Sequence, residues 1–489
     1  MGTELQTAET SRIAIGQTAH PALTLRVPLP FSERRALLLV VDAFVVAGAV
    51  LAALYLWAWA GTPAFTLDFV RARWFWFPLL TATWWFLAAL LDLYDVPVAG
   101  RRAEVAWRVA LVVLGLGIGY LAVYFVLPRD ALPRLFFLFF SAVVLVSTVL
   151  WRWTYATVFT LPPLSRRVLI VGAGWAGRTL AQALSGREAA DYQAVGFVDD
   201  DPEKRGTDVA GLPVLGSSAD LRSLARAHHV DEVVLAVTHT MRGQLFQALM
   251  DCRAMGIRVI RMPDLYEQLT RRVPVEHVDE GWALDALNGL STLAHLGRAT
   301  KRAVDLACGL VGLVGLGLAL PFVALVIWLN DRGPIFYTQV RSGLDGKLFR
   351  VLKFRTMCAG AEEDGHPQWA RQNDDRVTRV GRLLRKMRLD ELPQVINVLR
   401  GEMSIVGPRP ERPEFIAKLE QHIPFYRTRL IVKPGLTGWA QIHYGYGNSI
   451  KDALVKLQYD LYYIRHQSAW LDIYVIFRTV GAVLRGSGV

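Results

Sequence analysis

Four long apolar runs crowd the first third of the chain, at about Ala36–Ala60, Trp74–Tyr94, Val105–Leu127 and Leu135–Thr160. A helix rises ~1.5 Å per residue, so runs of this length reach across the ~30 Å hydrocarbon core of a bilayer. A single such run also suits a buried soluble helix, but four in succession predict a four-helix transmembrane domain over residues 32–163. Residues 1–31 are polar, end in Pro28-Leu29-Pro30 and are expected to form a disordered tail. No cleavable signal peptide is expected, because the first apolar run is too long for an h-region. Arg34, Arg35, Arg101, Arg102, Arg108, Arg166 and Arg167 flank one side of this arrangement, and Arg71, Arg73, Arg129 and Arg134 the other. This modest bias favours both ends of the bundle in the cytoplasm.

At Arg166 the pattern changes to short apolar strands alternating with helical stretches. Val168–Val171 leads into Gly172-Ala173-Gly174-Trp175-Ala176-Gly177 and a helical Arg178–Leu184, with further strands at Ala194–Val198, Glu232–Val237 and Arg258–Arg261. Such alternation predicts a parallel, Rossmann-like α/β domain over residues 164–290. The glycine spacing would let a pyrophosphate approach a helix N-terminus, with Asp199 near the place of a ribose-binding acid. The same spacing suits a tight glycine turn with no cofactor, and both readings remain open. No Tyr-x-x-x-Lys pair for hydride transfer accompanies it.

The next apolar run, Ala303–Leu329, is long enough to span, yet both flanks are basic: Arg298, Lys301 and Arg302 before it, Arg332, Arg341, Lys347 and Arg350 after it. Pro321 in its middle removes a helix hydrogen bond. A helix that enters, bends at Leu320-Pro321 and returns keeps both flanks on one side, so a re-entrant helix is expected over about 303–329. Asp305 beside Lys301 and Arg302 reads either as a headgroup anchor or as part of a solvated flank. Beyond Asn330 the chain becomes Arg-rich with short apolar pieces, and Ile464–Val483 has the composition of a helix lying on a bilayer surface.

Composition narrows the class. The 489 residues are 53% hydrophobic with 15 Trp and 22 Phe, and the formal net charge of +11 fits anionic lipid or a phosphorylated substrate. No stretch reads as a nucleic-acid module. Cys252, Cys308 and Cys358 are far apart and odd in number, which argues against a disulfide framework.

Chemistry concentrates in three stretches: Lys353-Phe354-Arg355-Thr356-Met357 with Arg341 upstream; Arg379 to Gln394; and Gly407-Pro408-Arg409-Pro410, followed by Pro434–Gln441. Arg379, Arg382, Arg385 and Arg388 recur every three residues and so predict a helical stripe. Asp390 then reads as the N-cap of a second helix, with Pro393 in its first turn, Val395, Ile396 and Leu399 on its apolar side, and Gly401 ending it. A carboxylate at a positive helix end beside guanidinium groups suits an ionised Asp and a bound polyphosphate together. A carboxylate attacking phosphorus needs cations and a metal-holding group, so Asp390 can be a nucleophile and Glu391 a Mg²⁺ ligand. A structural cap and first-turn acid are the plainer alternative.

Residues 298–489 carry these landmarks in order: Lys301-Arg302 with Asp305, Leu320-Pro321, Gln339-Val340-Arg341-Ser342-Gly343, Lys353–Met357, Leu389-Asp390-Glu391-Leu392-Pro393-Gln394, Gly407–Pro410 and Pro434–Gln441. In this the chain resembles the bacterial sugar transferase family, the monotopic polyprenyl-phosphate phosphoglycosyl transferases. With the preceding segments it looks like the large subgroup, similar to undecaprenyl-phosphate glucose- or galactose-phosphotransferases that begin exopolysaccharide or O-antigen assembly. The resemblance implies a membrane α/β protein: a transmembrane bundle, a Rossmann-like domain and a mainly α catalytic domain with a re-entrant helix broken at Leu320-Pro321. It implies transfer of hexose-1-phosphate, glucose before galactose, from a UDP-hexose to undecaprenyl phosphate through a covalent intermediate on Asp390, with Glu391 holding Mg²⁺. Arg341, Lys353, Arg355, Arg385, Pro408, Arg409 and Pro410 match substrate-binding positions, and Asp460 matches a further acidic one. A bacterial inner membrane location with the catalytic domain on the cytoplasmic face, and a homodimer, are expected. Met387-Arg388 departs from the small hydroxyl residues many relatives carry before Leu389. A membrane-anchored nucleotide-sugar oxidoreductase would need the missing Tyr/Lys pair. A non-catalytic assembly scaffold would have no need of Asp390, Glu391 and Pro408–Pro410 together.

Overall fold

The computed structural model describes residues 31–60, 64–126, 134–159, 165–186, 189, 192–237, 243–277, 294–358, 376–445, 447 and 449–484. The tail expected over residues 1–31 lies outside them up to residue 30. So do the outer ends of the third and fourth apolar runs and the last part of the expected α/β region, residues 278–290.

Among the described residues, six helices build the N-terminal region: α1 (Phe31–Ala60), α2 (Leu67–Arg71), α3 (Trp76–Leu90), α4 (Val96–Ala99), α5 (Arg102–Val126) and α6 (Arg134–Phe159). α1 packs on α3 and α6, and α5 packs on the same two, giving a four-helix bundle. Its core residues, among them Leu38, Val46, Val50, Trp84, Val105, Val109, Phe140 and Val144, recur every three to four positions along their helices. Phe44, Trp59, Trp107 and Leu138 point outward although apolar, as a lipid-facing surface requires. α1, α5 and α6 are long and apolar enough to cross a membrane. α3 is shorter than the sequence suggests, with 15 residues. Arg71 and Arg73 precede it, and Asp92 turns the chain with a φ of 56° after it. Inside the bundle, Asp42 Oδ2 accepts from Arg152 Nη2 at 2.6 Å, Tyr94 OH at 2.9 Å and Trp84 Nε1 at 3.3 Å, so one buried ion pair ties three helices together.

The α/β domain comprises β1 (Arg166–Val171), α7 (Trp175–Leu184), β2 (Tyr192–Val198), β3 (Asp208–Val209), β4 (Leu212–Gly216), α8 (Leu221–Ala227), β5 (Glu232–Leu235), α9 (Gly243–Ala254), β6 (Arg258–Arg261) and α10 (Met262–Thr270). Strand order is β3-β4-β2-β1-β5-β6, parallel except for β3 against β4. Strand order reverses at β1, as in a doubly wound sheet. Gly172 has a φ of 105°, and a Cβ there would stand 3.1 Å from the Ala236 carbonyl carbon, so this turn requires glycine. Asp199 accepts from Ala173 N at 2.7 Å and pairs with Lys204 at 3.3 Å, so it braces the glycine turn itself.

α11 (Ala294–Asp331) is the fourth helix among the described residues long and apolar enough to cross a membrane, and it continues through Pro321. The charges at its start settle the reading of Asp305. Lys301 Nζ donates to Asp472 at 2.9 Å, to Tyr463 OH at 3.0 Å and to Val406 O at 3.0 Å. Arg302 donates to the Val398 and Leu399 carbonyls, each at 2.8 Å, and buried Asp305 accepts from Ser404 Oγ at 2.8 Å and Ile405 N at 2.9 Å. These residues form neither a headgroup anchor nor a solvated flank; they bolt the apolar helix to the domain that follows.

That domain contains the hairpin β7 (Phe336–Ser342) and β8 (Leu348–Phe354), then α12 (Arg379–Lys386), a 3-10 segment (Leu389–Gln394), α13 (Val395–Arg400), β9 (Ser404–Val406), α14 (Pro413–Leu419), β10 (Gly435–Thr437), α15 (Trp439–His443), α16 (Ile450–Arg465) and α17 (Ala469–Leu484). β9 pairs in parallel with β10. α17 is only partly the surface helix that its composition suggests. Tyr474 and Val475 are buried, Asp472 meets Lys301, and Trp470 packs edge-on to Phe86 of α3 with ring centroids 5.8 Å apart. The three regions meet at Asp92 and Asp95. Asp92 takes Tyr474 OH at 2.9 Å, Arg108 at 3.3 Å and Arg478 at 3.6 Å, while Asp95 pairs with Arg271 from the α/β domain.

Candidate active site

Local rules place the central carboxylates differently from the sequence reading. α12 starts on Thr378, whose hydroxyl accepts from Gly381 N at 2.9 Å. It stops at Lys386, because Arg388 turns into the left-handed region with a φ of 55°. Arg388 therefore leaves the arginine stripe and comes within 3.9 Å of Glu391. Asp390 is not an N-cap. It lies inside the 3-10 segment, whose tight turns accommodate Pro393 and the residue before it, which proline disfavours in the α region. α13 begins only at Val395, and Gly401 ends it with a φ of 82°, as its sequence position implies.

The fold gathers Asp390, Glu391, Lys353, Arg385, Arg388 and Arg409. Glu391 is buried and accepts from Arg409 Nη2 at 2.6 Å and Lys353 Nζ at 3.0 Å. Burial opposes its ionisation, but Arg409, Lys353 and Arg388 outweigh that and hold it far below the usual carboxylate range. Asp390, equally buried, has no hydrogen-bond or ion-pair partner among the described residues. Burial and then the charge of Glu391 raise its pKa, against the pull of Lys353, Arg385 and Arg409. Two neighbouring acids are thus set apart: one neutralised and ionised, the other unpartnered and raised. Burial also lowers the pKa of Lys353, opposed by Glu391.

The remaining residues take supporting places. Arg385 Nε donates to Thr356 Oγ1 at 2.9 Å, which ties α12 to the strand carrying Lys353. Arg355 is buried beside Gly333, where a Cβ would stand 2.6 Å from its Cζ. Arg341 donates to Gln339 Oε1 at 2.6 Å and to the Pro410 carbonyl at 3.1 Å, beside Glu411. Asp460 is buried behind Arg409 and pairs with Arg429 at 2.8 Å. Leu320 and Pro321 lie in α11, where Leu320 packs on the same core cluster as Leu389 and Leu392. Gly407–Pro410 and Pro434–Gln441 are brought together by backbone contact: a Cβ on Gly407 would stand 2.9 Å from Gly435 N, and one on Gly435 2.6 Å from Gly407 O. Sequence reasoning did not single out Arg429, Tyr426, Glu411 or Asn397. Asn397 accepts from Leu352 N at 3.1 Å and donates to Arg350 O at 2.8 Å and Glu402 at 2.7 Å, fastening α13 to β8.

For a magnesium ion the expected donor is the hard carboxylate oxygen of Glu391, which now holds Arg409 and Lys353. No group of three or more His, Cys, Asp or Glu able to hold a metal occurs among the described residues. A single carboxylate fits Mg²⁺ when substrate phosphates and water complete the shell, which leaves Asp390 free to react.

Two family profiles match the chain: one described as bacterial sugar transferase over residues 296–486, and one described as CoA-binding domain over residues 89–263. Among curated proteins, the chain is 38% identical over 248 residues to the UDP-N-acetylgalactosamine-undecaprenyl-phosphate N-acetylgalactosaminephosphotransferase of Aeromonas hydrophila, covering 51% of this chain and 57% of that protein. It is 33% identical to the undecaprenyl-phosphate glucose phosphotransferase of Komagataeibacter xylinus, covering 70% and 63%. It is 34% identical to the UDP-glucose:undecaprenyl-phosphate glucose-1-phosphate transferase of Escherichia coli K12, covering 64% and 67%. The chain thus spans about three-fifths of the length of these relatives.

Proposed function

The chain belongs to the bacterial sugar transferase family, and we propose that it transfers hexose-1-phosphate from a UDP-sugar to undecaprenyl phosphate through an intermediate on Asp390. The observation that carries this reading is the unpartnered, buried Asp390 carboxylate beside a cation-bound Glu391. A nucleophile must be free of competing bonds, and phosphorus must be shielded from its charge.

In the first step an Asp390 oxygen bonds to the sugar-bearing phosphorus. The bond from that phosphorus to the bridging oxygen breaks, and UMP leaves with the electron pair. In the second step an oxygen of undecaprenyl phosphate bonds to the same phosphorus and the Asp390 carboxylate departs. Lys353, Arg385 and Arg409 surround the carboxylate that the fold raises, so they offset the charge of the diphosphate and of departing UMP. Glu391 would hold Mg²⁺ with the donor's phosphates, and the ion would supply Lewis-acid neutralisation of the transferring group. Glucose is the expected sugar; the relatives named above act on either glucose or N-acetylgalactosamine by their names.

A re-entrant α11, with the catalytic domain at the cytoplasmic face, is part of this reading, and the contacts of α11 support the re-entry. Lys301, Arg302 and Asp305 at its start bind this domain, and Leu316, Val323 and Ile327 beyond its middle pack with Phe354, Leu384 and Val395 of the same domain. A helix touching one body along so much of its length supports re-entry around Leu320-Pro321 rather than a crossing, with outward Val311, Leu318 and Phe322 left for lipid.

Purified protein is incubated with Mg²⁺ and UDP-glucose labelled at the β-phosphate, without lipid acceptor. Label on the peptide containing Asp390, with stoichiometric UMP, is the expected result. No adduct and no UMP with UDP-glucose, UDP-galactose or UDP-N-acetylgalactosamine, from folded protein, would rule out the covalent transferase reading.

A further inference from the structure

Between β9 and α14 the chain makes the turn Pro408-Arg409-Pro410, whose middle side chain is the strongest partner of Glu391. The turn is poorly equipped to hold itself. Two of its three residues lack an N–H, so its carbonyls must find donors elsewhere. All three do. Pro408 O accepts from Gly435 N at 2.8 Å, Pro410 O from Arg341 Nη1 at 3.1 Å, and Arg409 O from Arg429 Nη2 at 3.0 Å.

The third of these is a built device. Arg429 is 5% exposed, so its charge is taken out of water and needs a counter-ion. Asp460, 2% exposed and reaching across from α16, supplies it: Arg429 Nη2 donates to Asp460 Oδ2 at 2.8 Å. Tyr426 OH accepts from Arg429 Nη1 at 2.7 Å, and Glu411, the residue after the turn, stands 3.9 Å from the same nitrogen. A planar guanidinium is suited to this place because one rigid fork meets a carbonyl, a carboxylate and a phenol at once. A lysine ammonium has no such fork. The burial of Asp460 keeps its carboxylate from any solvent-borne ligand.

We propose that Arg429 and Asp460 are positioning residues for the transfer reaction, acting on the donor only through the backbone and side chain of Arg409. Asp460 is then not a substrate contact but the counter-ion of the group that aims Arg409 at Glu391. This rests on the transferase reading above. Displacing a reacting or charge-stabilising group by about 1 Å costs up to roughly 100-fold in rate. Arg429→Lys and Asp460→Asn should therefore lower kcat/KM for the UDP-sugar by roughly 10- to 100-fold.

The test is a pair of double-mutant cycles on full-length protein in detergent, read by UMP release. Arg429→Lys and Asp460→Asn are each measured alone and combined with Arg409→Lys. If they act through Arg409, their cost shrinks to within about threefold once Arg409 is changed, because coupled groups are non-additive. Tyr426→Phe, which removes one hydroxyl and keeps the ring, should show a smaller effect with the same non-additivity. Should Arg429→Lys fail to fold, the near-isosteric Asp460→Asn and Tyr426→Phe carry the cycle. Fully additive losses, or wild-type kinetics in the folded Asp460→Asn and Tyr426→Phe variants, overturn the positioning role. Absence of UMP release from the wild type would instead remove the transferase reading, and this proposal with it.

Discussion

Gly381 offers a direct test of how closely α12 must approach the active-site strand. A Cβ at this position would stand 2.7 Å from the Thr356 carbonyl carbon and closer still to its oxygen. Non-bonded carbons settle at about 3.5–4.0 Å, so Gly381→Ala requires the helix or the strand to retreat by about 1 Å. The obstacle is backbone and cannot rotate away. Two hydrogen bonds straddle the contact: Thr378 N to Thr356 O at 3.0 Å and Arg385 Nε to Thr356 Oγ1 at 2.9 Å. A retreat of that size stretches the second beyond bonding distance and withdraws Arg385, one of three cations that oppose the raised pKa of Asp390. Overpacking of this kind costs about 1–3 kcal/mol of stability, and a displacement near 1 Å at a reacting group costs up to about 100-fold in rate. Asp390 should also ionise at higher pH, moving the acid limb of activity upward. UMP release between pH 5 and 8, with thermal melting on the same samples, measures all three effects. Wild-type kcat/KM, with an unmoved acid limb, would refute the claim that this contact sets the active-site geometry.

Three further outcomes are expected. Asp390→Asn should abolish UMP release yet raise the melting temperature at neutral pH. Burial and Glu391 raise the Asp390 pKa above its unfolded value, so its stabilising contribution is present below the unfolded pKa and lost as pH rises through the folded one; the amide escapes that loss, and the gain should fade towards about pH 4. Asn397→Leu leaves Leu352 N, Arg350 O and Glu402 without their shared partner, and should cost about 2–5 kcal/mol, read as a lowered melting temperature with reduced activity. Pro321→Ala restores a helix hydrogen bond within α11 and should push a C-terminal reporter outward in whole cells; a reporter that stays inside would deny the proline its role in re-entry.

The contacts of α16 bear on the α/β domain. Gln458, Tyr462 and Arg465 lie on one face, where Arg465 pairs with Glu267 at 2.6 Å and Gln458 O accepts from Val273 N at 3.0 Å. Asp460 lies on the other face, behind the active site. One helix therefore carries both the docking of the α/β domain and the counter-ion of Arg429.

Periodicity alone determined much of this protein. Runs of apolar residues at helical length gave the bundle helices and α11, and short strands around Gly172 gave the parallel sheet, because burial and backbone geometry repeat locally along the chain. The Asp390-Glu391 pair and the Pro408–Pro410 turn were equally legible, since their chemistry is carried by adjacent residues. Three things were decided by tertiary structure. The second apolar run became a shorter helix because charged turns close both its ends. Arg388 left the arginine stripe and Asp390 lost the cap position, because a left-handed residue and Pro393 together force a 3-10 segment. Lys301, Arg302, Asp305 and Asp460 stand in the sequence without visible partners, yet each binds a group about 30 to 170 residues away. A local pattern records which residues can be charged or buried; which charge neutralises which is fixed only when distant segments are folded against one another, where burial makes an unpaired ion too costly to keep.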